Sequence, residues 1–119
     1  MFAVQEKREM QGFYGVYYTG ANGAAAFGFL LRDGRVYGID PAGGDVSGTY
    51  STTPDGGLDL ALTFNWPVGA VLVTGQTLSQ PMTVNSNVTI SASTLAGGHQ
   101  LVNLPVGPVN VRIVRKVTL

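Results

Sequence analysis

His99 is the single histidine of a 119-residue chain that contains no cysteine. A nucleophilic triad needs a base in reach of a hydroxyl and an acid to orient that base. The residues around His99 supply no such set, and it reads as a turn-proximal residue at a strand start. Zinc takes several N, S or O ligands, which one histidine without cysteine does not provide. The missing cysteines also remove a disulfide scaffold, a thiol nucleophile and an iron–sulfur site. The aspartates are Asp33, Asp40, Asp45, Asp55 and Asp59, all in the first half. Asp33 and Asp55 belong to turns. Asp40 and Asp45 flank a glycine-rich loop, a pairing that can attract a cation, but the alternating acids and distal glutamate of a calcium loop are absent. The glycine runs at 20–23 and 97–98 lead into neither Lys-Ser/Thr nor a helix, so they are hairpin glycines rather than phosphate cradles. Asn87-Val88-Thr89 fits a glycosylation acceptor only by chance, since no secretion signal accompanies it. No catalytic residue, metal or cofactor is expected, and the chain reads as a non-enzyme.

Arg112, Arg115 and Lys116 make the C-terminal strand basic at one end. A nucleic-acid reader adds aromatic platforms and a positive net charge, whereas the formal net charge here is zero. These cations are read as edge-strand protection, or as partners for the acidic first half. A neutral chain has no global field to draw in nucleic acid or an anionic membrane, and it favours self-association.

The elements that must position these residues are strands. Hydrophobic residues make up 45% and charged residues 12% of the chain, the latter about half the usual ~25%. Residues 24–53 read as strand, Asp33-Gly34 turn, strand, loop, strand. Phe27, Phe29 and Leu31 share one face of residues 24–32. Strand five alternates Leu58, Leu60, Leu62, Phe64 and Trp66 against Asp59, Ala61, Thr63 and Asn65. Further strands fall at 13–19, 35–39, 45–53, 87–94 and 99–104, and a last one sets Val109, Val111 and Ile113 on one face. Residues 68–74 are apolar on both faces. About eight short strands with tight turns predict an all-β fold, a small up-and-down antiparallel β-barrel of lipocalin-like shape. Glycines inside the strands suit the bends of barrel closure.

One domain is expected over residues 12–119, preceded by a tail or short helix at 1–11. That tail holds both glutamates, Glu6 and Glu9, and Met10 is a candidate start residue. Its charges interrupt any apolar segment, so it reads as no signal peptide, and no run approaches the ~18 residues of a membrane helix. A cytoplasmic protein is the expectation.

Twelve side chains are placed inside the barrel: Phe27, Phe29, Leu31, Tyr50, Leu60, Leu62, Phe64, Trp66, Val88, Ile90, Val111 and Ile113. A filled core is expected, with a small apolar cavity as the alternative, since a barrel of this size is either filled or holds one small ligand. Ligand contacts are assigned to a barrel mouth near Tyr37, Tyr50, Phe64 and Trp66. Aromatics on both faces of strand one, together with the two-faced segment 68–74, predict a homodimer surface at Phe13, Tyr17, Val71 and Val73.

Gly12-x-Tyr14, the glycine-rich hairpin and apolar second strand that follow, the run Asp33-Gly34-Arg35-Val36-Tyr37-Gly38-Ile39-Asp40, and Gly48-Thr49-Tyr50 together resemble the GrlR-like family. The resemblance is best over residues 12–53. It implies a small barrel in a bacterial cytoplasmic homodimer without enzymatic activity. It also implies action by binding a protein, as in negative regulators of type III secretion. No family site maps residue by residue onto this chain. Two functions are carried forward: a protein-binding, regulatory module, and a lipocalin-like binder of a small apolar ligand.

Overall fold

The computed structural model describes residues 9–21 and 23–119. Most of the proposed N-terminal tail, and Asn22 of the first hairpin, lie outside the described residues. Eight strands form one antiparallel sheet: β1 (Gly12–Gly20), β2 (Gly23–Arg32), β3 (Arg35–Ile39), β4 (Asp45–Thr52), β5 (Leu58–Trp66), β6 (Met82–Ile90), β7 (Gln100–Leu104) and β8 (Gly107–Thr118). Their order is β6-β5-β4-β3-β2-β1-β8-β7, so the first and last strands pair and the sheet curls into a nearly closed up-and-down barrel. The remaining opening lies between two consecutive strands, β6 and β7.

Strand alternation and turn chemistry account for most of this. Leu58, Leu60, Phe64 and Trp66 on β5 are buried, as are Phe29 and Leu31 on β2. Asp33 and Gly34 take positive φ values of 53° and 79°. Those are the values of a two-residue turn whose twist matches the flanking strands. At Gly48 the sheet bends so closely onto β5 that a Cβ would run into the Ala61 carbonyl oxygen. Only glycine allows that approach.

Three segments differ from the sequence expectation. Residues 68–74 form no strand beyond a single bridge between Val71 and Thr77. They belong to a loop over residues 67–81 that folds across one end of the barrel, burying Ala70, Leu72 and Leu78 against Val46, Phe64 and Trp66. The two-faced apolarity is thus that of a lid rather than a strand. The strand expected at 87–94 starts earlier, at Met82, and stops at Ile90. Ser91 then accepts the Thr94 N–H and caps the one-turn helix α1 (Ala92–Leu95); a serine side chain at this position competes with strand pairing. Finally, β8 is no edge strand, since it pairs with β1 and β7, and its cations lie on aromatic rings rather than on acids. Arg112 and Lys116 each stand 5.1 Å from the centre of the Tyr17 ring, and Arg115 stands 5.4 Å from that of Tyr14.

The core has two parts. Tyr14, Leu31, Val36, Tyr50, Leu58 and Ile90 fill the end at the Asp33-Gly34 turn. There Tyr14 stacks on Phe29 at 5.3 Å, donates to the Met10 carbonyl at 2.6 Å and accepts from Arg115 Nε at 3.0 Å. Val46, Phe64, Trp66 and the lid form the other part.

Candidate ligand-binding cavity

Between the two parts of the core lies a cavity of about 300 Å³. The filled interior expected from the sequence is therefore not what the fold provides. Apolar side chains from β1, β2, β5, β6 and β8, such as Val16, Phe27, Leu62, Val88 and Val111, form its walls. Leu72 and Val73 of the lid and Leu104 and Val106 of the β7–β8 hairpin cover the end away from the Asp33-Gly34 turn.

Polar groups gather at that covered end. Tyr18 continues the inward face of Tyr14 and Val16 on β1 and is half-buried. Its ring meets Phe27 edge-on, with centroids 5.7 Å apart. Asp40 is the first residue after β3, on the inward side of the alternation that leaves Ile39 exposed. Its Oδ1 accepts the Ala42 N–H at 2.8 Å, and backbone bonds from Asp40 to Gly44 and from Gly43 to Asp40, both 2.9 Å, close the turn. An aspartate that holds its own turn in this way is fixed in orientation. Asp40 Oδ2 accepts the Tyr18 hydroxyl at 3.3 Å. Burial, and then the adjoining Asp40 carboxylate, push the Tyr18 phenol well above its ordinary range, so it stays protonated and donates.

Trp66 ends β5, stacked on Phe64 with ring centres 5.3 Å apart. Its pyrrole edge faces Gly44, where a Cβ would stand 2.6 Å from Cδ1. The indole N–H is buried and has no acceptor among the described residues. Such an orphaned donor costs about 1–3 kcal/mol.

Of the four residues assigned to the mouth, Phe64 and Trp66 line the cavity. Tyr50 does not: it is buried at the opposite end, its N–H bonded to the Gly34 carbonyl at 2.9 Å. Tyr37 stands on the outer face of β3, 51% exposed. The odd-numbered positions of β3 face out, and Tyr50 packs in the core part at the Asp33-Gly34 turn. The polar pair at the cavity is instead Tyr18 and Asp40, which alternation along β1 and past β3 places on the inward side. Asp40 and Asp45 do not converge. Asp45 points outward and accepts from Asn65 Nδ2 at 3.2 Å.

Of the residues assigned to a dimer surface, Phe13 is exposed on β1 and Val71 on the lid. Tyr17 lies beneath Arg112 and Lys116. Val73 turns inward, half-buried against the core and lining the cavity, so it offers little outer surface. His99 is exposed on the outside of the barrel beside Asn110 and Arg112. Among the described residues no three His, Asp or Glu side chains come together as a cation site. None of the described helices is long and apolar enough to cross a membrane.

Sequence reasoning also missed the closure of the β6–β7 opening. Gln100 Nε2 donates to the Thr89 carbonyl at 2.6 Å, while Gln100 Oε1 accepts from Ser91 N and Thr94 Oγ1, both at 3.0 Å. Alternation puts Gln100 inward with Val102 and Leu104, and a glutamine among inward apolar residues was the available signal.

Comparison with family models, curated proteins and solved structures finds no match in any of the three.

Proposed function

We propose that this barrel binds a small, largely apolar molecule in its interior, as a carrier or sensor without enzymatic activity. The observation that carries this reading is the cavity of about 300 Å³, walled by aliphatic and aromatic side chains with a few polar groups at one end. That volume is at the lower bound of small-molecule sites, and the mix of lining groups is theirs. A cavity of ~150 Å³ takes up benzene, so this one fits a molecule of roughly a dozen non-hydrogen atoms. Trp66 is the only tryptophan and lines the cavity, so its fluorescence reports occupancy. Titration with 1-decanol should give a saturable change, and native mass spectrometry should show one adduct per chain. A linear, unsaturated response without an adduct would sink the reading.

A second reading, a homodimer or protein-binding module as the family resemblance implies, is favoured by one feature of the outer surface. Val117 pairs with Phe13, Phe13 with Leu30, and Leu30 with Tyr37. This places an apolar row across β8, β1, β2 and β3. Val117, Phe13 and Tyr37 are 51%, 46% and 51% exposed, and Ile39 beside them is 73% exposed. Contiguous apolar surface of this kind marks contact sites on soluble proteins. The two readings occupy different faces and are compatible.

A further inference from the structure

We propose that the cavity selects apolar molecules that end in a protonated amine, with Asp40 as the counter-charge at the covered end. This inference rests on the small-ligand reading and assigns that ligand its head group.

Among the described residues, Asp40 is the only charged side chain lining the cavity. No cation partners it among the described residues, where the ion pair is Arg32 with Asp33. A carboxylate offers about four acceptor positions on two oxygens. One is taken by the Ala42 N–H and a second, at a long 3.3 Å, by the Tyr18 hydroxyl. Both donors are neutral, so among the described residues no opposite charge compensates the carboxylate beside this apolar interior. Half-buried charges of this kind favour a partner of opposite sign, because the attraction is only partly screened there. Tyr18 and Phe27 bring aromatic rings to the same end, and ring faces attract cations. A ten-carbon tail would extend from there between Leu62, Val88 and Val111. A carboxylate head would meet Asp40 as a like charge, and a hydroxyl head would gain a hydrogen bond without the charge.

The test is calorimetric titration with decylamine, 1-decanol and decanoate, each below its aggregation concentration, on the wild-type chain and on Asp40→Asn. The Asn side chain keeps an oxygen for the Ala42 N–H, so the turn is retained. Equal urea midpoints for the two proteins check the fold. Decylamine is expected to bind the wild type at least about tenfold more tightly than 1-decanol, the span of one charge-assisted hydrogen bond. Decanoate should bind most weakly. Asp40→Asn should abolish the amine preference, so that decylamine and 1-decanol bind the variant with equal affinity. Equal affinities for decylamine and 1-decanol, or an amine preference that survives in Asp40→Asn, would overturn the head-group assignment while leaving the small-ligand reading intact. Absence of binding by all three probes would overturn both.

Discussion

Gln100 and Thr89 face each other across the only neighbouring strands of the barrel that share no described ladder, and the Gln100 side chain bonds to the Thr89 carbonyl at 2.6 Å. The same side chain also accepts from Ser91 N and Thr94 Oγ1. One amide therefore ties the end of β6, the cap of α1 and the start of β7. Thr94 is 1% exposed, so its hydroxyl has little access to water once that partner is gone.

Gln100→Ala should destabilise the fold by about 2 kcal/mol, the order of a lost bond plus buried polar groups left unsatisfied. The check is a urea titration, read as a lower midpoint at unchanged slope. A midpoint equal to that of the wild type would mean that the β6–β7 opening is held by apolar packing alone.

Gly48→Ala should cost about 2 kcal/mol or more, because the added Cβ meets the backbone carbonyl of Ala61 rather than a side chain that can swing away. Thermal or urea unfolding measures it. A loss within a few tenths of a kcal/mol would show that β4 and β5 can separate at that point.

Filling the cavity should separate binding from stability. Val88 is half-buried and lines the cavity wall from β6. Val88→Phe should weaken 1-decanol binding by about tenfold or more, the order of one displaced apolar contact surface, with an unfolding midpoint equal to or above the wild-type value. Unchanged 1-decanol affinity would place the probe elsewhere.

Stability should fall in alkali. Burial raises the Tyr14, Tyr18 and Tyr50 phenols above their ordinary value of 10.0. The unfolded chain loses these protons near pH ~10, while the folded chain still holds them. Above that pH the folded state binds more protons than the unfolded state, so stability declines as pH rises. The contribution is fully present below the unfolded value and is lost as pH climbs toward the folded ones. Urea midpoints measured from pH ~9 to ~11 should decline, and Tyr18→Phe should flatten the decline. An identical slope in that variant would mean that Tyr18 titrates freely in the folded barrel.

The outer apolar row predicts a dimer. Native mass spectrometry of the wild type should show twice the chain mass, and Phe13→Ser with Tyr37→Ser should shift the population to monomer without changing the urea slope. A wild-type monomer at all concentrations would leave this row without a partner copy.

The alternation of β2 and β5, the Asp33-Gly34 turn and the inward placement of Phe29, Leu60, Phe64 and Trp66 were legible in residue order. These are local properties, because a strand's side chains alternate with period two and a turn needs positive φ within a pair of residues. The all-β class and the barrel followed from them. The tertiary structure alone decided how far the interior fills, which residues cap it and which meet. Segment 68–74 has the composition of a strand, yet it became a lid because the open end of the barrel offered Phe64 and Trp66 to cover. Tyr18 and Asp40 are 22 residues apart, on β1 and beyond β3, and they meet only because β2 lies between those strands and the sheet curls. Whether a charge at the end of a short strand faces water or a cavity depends on closure and register across several strands, and those depend on contacts distant in the chain.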